Sequence, residues 1–437
     1  MESMAFAHYL TFLPLLVRDL GAPETDVAGM VGLLSSAALL AGLPLVPFWG
    51  AWADRYSRKA VVVRSAVVEG VLFLLLAFVR DVQQLFLLVP LVGLVLGNTG
   101  VMLAELSDRV PRARLGLAIS VVGASGPLGV SLGPAIGGPV VDSVGVQTLF
   151  LVDALLSGVA VVALVLAYHE RPDRRRSPYP VLTLVRRSLV AVVRTPLART
   201  VFLAYFLVLL GQRVVVPFLA LYVELLGGPL VLASTVGLVA GVNGLAAAVG
   251  SAGAGALADR VGFRPVLLGA IALATASALA GAALDALGPF MLDYALLGVG
   301  IATASAMLFA FLATGLPTDV RSSVLNLSLL PMYLSGIVGS LLAVELLGRS
   351  GGDLRQLWVV GAVSLALALV PASRLGGIGG LRVPYRRETR PSPGRPRGGA
   401  VPVGDRRACQ RRVPGTRRRL ARTAHAPVVG RRGLHAA

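Results

Sequence analysis

Apolar runs bounded by Arg, Pro, Gly or Asp succeed one another along almost the whole chain. A helix crosses a bilayer with ~20 mostly apolar residues, so each run predicts one membrane span. Twelve spans follow, at approximate limits 4–20, 27–49, 60–79, 85–105, 115–141, 148–168, 200–222, 231–257, 265–285, 289–312, 324–347 and 355–373. The first is about 17 residues, near the lower limit for crossing the hydrocarbon. A start codon assigned too late, with a turn or two missing, is one expectation; a short, untilted helix is the other.

Composition narrows the class. Of 437 residues, 56% are hydrophobic and 14% charged, with a mean hydropathy of +0.79, where a soluble chain carries about 25% charge. Water-soluble domains are excluded on that ground. Cys409 is the only cysteine, so the chain forms no internal disulfide. His8, His169, His425 and His435 are scattered, so no Cys/His metal site is expected. No cofactor is implied, and no membrane-enzyme motif is present.

The net charge of +18 divides unevenly. Residues 374–437 hold 17 Arg against Glu388 and Asp405, a balance of +15, which leaves +3 on residues 1–373. The basic excess therefore belongs to a tail without apolar periodicity, expected to be disordered and drawn to anionic inner-leaflet lipids. Nucleic acid is not an expected partner. A frame-shifted or read-through gene end is another explanation of this composition.

Basic residues also set the orientation. With both termini inside, cytoplasmic loops before the tail hold 18 Arg or Lys, against Arg18, Arg80, Arg349 and Arg355 outside. Such asymmetry fixes topology, predicting a multi-pass protein of the cell (inner) membrane with both termini cytoplasmic.

The two halves look like copies. PLLVRDLG from Pro14 and PFLALYVELLG from Pro217 each close the first span of a half, and Gly50, Ala53, Asp54 and Arg55 recur as Gly255, Ala258, Asp259 and Arg260. The expected division is a six-helix bundle at 1–168, a basic linker at 169–199, a second six-helix bundle at 200–373 and the tail at 374–437. An internal repeat of six spans marks a transporter with its site between the halves.

The first loop reads Gly50-Ala-Trp-Ala-Asp54-Arg55-Tyr-Ser-Arg58-Lys59, and its copy Gly255-Ala-Leu-Ala-Asp259-Arg260-Val-Gly262-Phe-Arg264. Glycine permits close helix approach, the carboxylate can face the positive end of a helix, and arginine can pair with an acid. A basic stop-transfer loop is the plainer alternative. Both copies resemble the G-x-L-A-D-R-x-G-R-K loop of the major facilitator superfamily. The first departs at Ser57, where glycine is usual, and the second at Phe263 and Pro265.

The fifth span contains Gly129-Val-Ser-Leu-Gly133-Pro134-Ala-Ile-Gly137-Gly138. Positions 129, 133 and 137 drift only about 80° around a helix, so three glycines share a face that another helix can approach closely. Pro134 removes the hydrogen bond to the Val130 carbonyl and permits a kink. Ordinary helix packing is the plainer alternative. The pattern resembles G-x-x-x-G-P-x-x-G-G, which within the superfamily marks proton-coupled antiporters, chiefly drug exporters. The arginine those exporters carry in an R-x-x-x-G setting of the fourth span is absent: Gly93 precedes Gly97 at that spacing.

Ionisable residues in hydrocarbon are costly and tend to face cavities. Glu69 lies near the midplane of the third span and is the leading proton carrier; a structural hydrogen bond is its other role. Arg213, beside Gln212, is a substrate contact or a structural pair. Asp153 and Asp293, near the outer ends of their spans, are expected at a wet interface, with coupling the alternative. Glu105, Asp108, Arg109 and Arg112 are placed at the inner gate. Asn98, Asn243 and Asn326 are read as interhelical hydrogen-bond groups first and ligand contacts second. His8 is read as packed rather than proton-carrying.

The resemblance implies the major facilitator fold: an all-α integral membrane protein of twelve transmembrane helices in two bundles, acting as a monomer. It further implies a small-molecule substrate moved by alternating access, with protons as coupling ion. The leading expectation is efflux of hydrophobic or amphipathic compounds. The alternatives are a facilitator or importer of a polar metabolite, and a transport-incompetent sensor or decayed gene product.

Overall fold

Proline and glycine punctuate a chain that is otherwise helical. The computed structural model describes residues 2–95, 101, 102, 105, 110, 112–169, 179–228, 230–316, 324, 325 and 327–375, except the side chains of residues 46, 47, 54 and 112–124. Asn98, Asn326, Asp108, Arg109, the side chains of Asp54 and Arg112, and the tail from residue 376 lie outside them. The described residues fall within one compact unit, Met1–Leu381.

Among the described residues there are fifteen α-helices and no strand. They are α1 Glu2–Asp19, α2 Glu24–Gly42, α3 Leu45–Arg55, α4 Arg58–Ala77, α5 Val82–Leu88, α6 Arg112–Val144, α7 Val146–Ala167 and α8 Val181–Arg194. Then come α9 Pro196–Arg213, α10 Leu219–Gly227, α11 Ala233–Val261, α12 Phe263–Ala283, α13 Leu287–Gly315, α14 Leu330–Ser350 and α15 Arg355–Arg374. Among the described residues, nine helical stretches are long and apolar enough to cross a membrane.

Three predicted spans are broken, each at a proline, which cannot donate to the helical ladder. The second divides at Pro44 into α2 and α3. The fourth tightens after α5 into a 3₁₀ segment, Val89–Leu94, that contains Pro90. The seventh divides into α9 and α10 around the 3₁₀ turn Val216–Phe218, which contains Pro217. The basic linker, expected only to connect, contains α8. A single residue, Gly145, joins α6 to α7 at φ 84°, a conformation open to glycine and strained for other L-residues.

The first departure from the loop motif has a local cause. The Ser57 hydroxyl accepts a 3.0 Å hydrogen bond from the Ala60 N–H and caps α4, satisfying a donor that helix starts leave free. Ser57→Ala should cost ~1 kcal/mol and Ser57→Gly a few tenths. Thermal unfolding of the purified variants checks that order, and equal melting temperatures for Ser57→Ala and the parent would refute it.

The outer surface is apolar. On α7, Leu155, Val159, Val162 and Leu166 are all more than half exposed. A face that would be unstable in water suits lipid, whose tails are as apolar as leucine. Helix association there rests on close packing and buried polar contacts. The largest packing contacts join α6 to α11, α13 to α11 and α12, α15 to α12 and α9, α4 to α7, and α2 to α14; α1 lies against α6.

Candidate functional site

Helix α6 has two close-packed faces. On one, the glycines admit α1: a Cβ at Gly129 would stand 3.0 Å from the Ser3 Cβ, and one at Gly133 would stand 3.0 Å from the Met4 Cγ. At Gly137 it would stand 2.8 Å from the His8 ring. On the other face, Gly138 meets Ser234 of α11, and the Pro134 carbonyl lies where a Cβ on Gly237 would be, 2.0 Å away. The Ser131 hydroxyl donates to the Gly241 carbonyl at 2.8 Å. Beyond this contact the Asp142 carboxylate accepts from the Ala233 and Ser234 N–H groups at 2.7 and 2.9 Å, anchoring the first turn of α11. Arg18 of α1 bridges Glu224 of α10 at 2.7 Å.

Against the glycine face sits a polar cluster. His8 is 1% exposed and Asp153, on α7, 2%. The His8 Nδ1 lies 2.9 Å from the Asp153 Oδ2, and its Nε2 lies 2.8 Å from the Gly133 carbonyl oxygen. Asp153 is therefore buried and partnered, not set at a wet interface as its place near a span end suggested. One turn on, Ser157 hydrogen-bonds Glu69 of α4, which is 4% exposed and near enough to Asp153 for the carboxyls to interact. Glu69 lines a small cavity of about 40 Å³ together with Glu2, Phe6, Tyr9, Leu72 and Phe73.

A neighbouring void of about 10 Å³ lies between α1, α2, α9 and α14, and Arg213 reaches it. The Arg213 Nε has no hydrogen-bond partner among the described residues. Tyr205, Tyr294 and Tyr333 interact with its charge. Gly339 leaves room for its side chain, since a Cβ there would stand 3.1 Å from the Arg213 Cβ. Gln212 is half-buried beside it.

The other candidates are separate. Asn243 donates to the Tyr294 carbonyl at 2.5 Å, tying α11 to α13. Asp293, half-buried, hydrogen-bonds Ser277, and its Oδ2 has no partner among the described residues. In the first loop, Arg58 pairs with Glu105 at 3.0 Å in a nearly buried contact. Arg55 donates to the Tyr179 carbonyl at 2.9 Å and Lys59 to the Val165 carbonyl at 2.8 Å. In the second copy, Gly255, Asp259 and Arg260 are exposed. No described atom lies within 4 Å of a Cβ built at Gly50 or Gly255, so neither glycine serves a close helix approach among the described residues.

His8 was undervalued in sequence because its partners are 145 and 125 residues away. Its only local signal is a titratable ring inside an apolar run.

Comparison with known proteins agrees with this architecture. The chain is 30% identical over 274 residues to the multidrug resistance protein MdtG of Enterobacter lignolyticus (strain SCF1), covering 62% of this chain and 64% of that protein. It is 31% identical over 270 residues to MdtG of Citrobacter koseri, covering 61% and 66%. The chain thus spans just under two thirds of the length of these curated relatives. Its fold resembles a crystal structure of a variant of the nucleoside transporter NupG, with a TM-score of 0.70 and 13% identity, over 86% of this chain and 97% of that one. The family model described as Major Facilitator Superfamily matches residues 1–235 and 201–426, and the chain belongs to that superfamily, a family of membrane transporters and not of enzymes.

Proposed function

We propose that this multi-pass membrane protein is a secondary active transporter that exports hydrophobic or amphipathic small molecules in exchange for protons. The observation that carries this reading is Glu69, a buried carboxyl on the wall of a mostly apolar cavity. An isolated charge in such a place is costly, so the group must carry a proton or meet a cationic ligand. Either event couples the ligand to the proton. The multidrug resistance names of the relatives support export. In this proposal twelve spans form two six-helix bundles joined by residues 169–199, a monomer rocks between inward and outward access, and both termini are cytoplasmic. The loop residues Gly50, Asp54, Arg55, Arg58 and Lys59 and their second-half counterparts would control the inner gate, and Gly129, Gly133, Pro134, Gly137 and Gly138 the antiport motion.

Arg213 favours a second reading. A guanidinium at a cavity among three tyrosines, with Nε unpartnered, suits the transport of a polar metabolite bearing an acceptor group.

One experiment separates these readings. In energised inside-out vesicles, lipophilic compounds added one by one should release accumulated protons only where the protein is present. Proton movement driven by polar metabolites alone would favour the second reading. Correct insertion with no flux for any compound would favour a sensor or a decayed product.

A further inference from the structure

We propose that His8 and Asp153 form a second proton-binding site, whose two-proton state clasps α1 onto the glycine face of α6. This deepens the proton-coupled reading above, but its test needs no substrate. The argument is a count of protons. The Nε2 faces a carbonyl oxygen, which only accepts, so that nitrogen must carry a hydrogen. The Nδ1 faces a carboxylate, so a second hydrogen must lie between those two groups, on either one. Imidazolium with carboxylate and imidazole with carboxylic acid hold the same two protons and make the same two contacts.

Losing one proton to water breaks that arrangement. If Nε2 loses its hydrogen, a nitrogen lone pair faces the Gly133 oxygen at 2.8 Å. If the hydrogen between Nδ1 and Asp153 is lost, a lone pair faces an ionised carboxylate at 2.9 Å. Buried polar atoms left so opposed are costly, and the relief available is movement of α1 away from α6 or α7. Gly137 makes the site possible, because a Cβ there would stand 2.8 Å from the ring.

Among the described residues the surroundings offer no replacement proton donor of equal reach. On α4 the nearest ionisable group is Glu69, reached through Ser157, and Glu2 of α1 interacts with Glu69 in turn. Among its described side chains α6 presents no ionisable group at the ring, only the Gly133 carbonyl; Asp142 lies more than two turns further on and caps α11. Of the cations on other helices, Arg64 of α4 interacts with Glu2, and Arg213 belongs to the adjoining cavity.

The site connects proton binding to helix packing. Met4 touches Gly133 one turn before His8, so its methyl reports whether α1 stays seated.

The test uses the full chain in nanodiscs, labelled with ¹⁵N-histidine and ¹³C-methyl methionine. His8 and Met4 signals are assigned by their loss in His8→Gln and Met4→Leu. Between about pH 5 and about pH 8, the span in which unperturbed histidine changes charge, the His8 nitrogen signals should change as the pair passes from two hydrogens to one. The Met4 methyl should shift with the same midpoint. In Asp153→Asn the His8 midpoint should move by about one pH unit or more, a tenfold change in proton affinity. A His8 signal unchanged across that range, or one that titrates while Met4 stays still, would overturn the clasp. The parent chain alone decides this if the Asp153 variant does not fold. Failure of the vesicle assay leaves these spectra unaffected, so the two proposals fail separately.

Discussion

Glu69→Gln is expected to reduce uphill efflux to the level of vesicles lacking the protein, while some downhill exchange survives. The amide keeps the size of the side chain and can still hydrogen-bond Ser157, so the cavity wall between α4 and α7 is preserved. What it loses is the ability to release and regain a proton. The antiporter then has no means of linking substrate movement outward to proton movement inward, whereas rocking of an unloaded or substrate-loaded carrier needs no titration. Efflux measured at several external pH values provides the decisive comparison, because the variant should not concentrate substrate outward at any pH. If Glu69→Gln still concentrates substrate outward with the parental pH profile, Glu69 is a structural hydrogen-bond partner. The carrier would then be sought at Asp153, already paired with His8, or at Asp293, whose Oδ2 has no partner among the described residues.

How much of this was legible in sequence differs by physical cause. Span composition is selected along a whole run by lipid, so the apolar segments around Glu69, Asp153 and Arg213 could be read directly. Breaks within runs come from single residues, and Pro44, Pro90 and Pro217 divide or tighten spans that hydropathy alone made continuous. The glycines of α6 announce close packing but not the partner. That α1 lies on Gly129, Gly133 and Gly137 while α11 lies on Gly138 depends on long-range geometry, and one residue of register decides which helix a glycine faces. The same limit hid the pairing of His8 with Asp153, although each stood out as an ionisable residue within its own span. The loop motif shows the converse: Gly50 and Gly255 match the family pattern, yet among the described residues their missing side chains admit no neighbour.

The largest packing effect is expected at Gly237. The contact of α6 with α11 closes only because no side chain stands between the Pro134 carbonyl and the Gly237 backbone. A Cβ at Gly237 would lie 2.0 Å from that oxygen and 2.9 Å from its carbon. Neither atom is the movable end of a side chain; both belong to a helix backbone. Relief therefore requires the helices to separate along the stretch that also carries the Gly138–Ser234 contact, the Ser131–Gly241 hydrogen bond and the Asp142 cap. Overpacking a well-fitted core costs ~1–3 kcal/mol even where side chains can adjust. With backbone against backbone, Gly237→Leu should disfavour the closed contact by at least ~3 kcal/mol, roughly a hundredfold in population. Each helix remains apolar and able to insert, so abundance in the membrane should persist while transport falls to background. Spin labels at Val144, the last residue of α6, and Leu230, just before α11, both exposed, should show a longer distance in the variant. Gly158→Ala on α7 is the control, since nothing lies within 4 Å of a Cβ there, and it should leave both distance and transport unchanged. Parental turnover in Gly237→Leu would mean that the transport cycle never needs α6 and α11 this close.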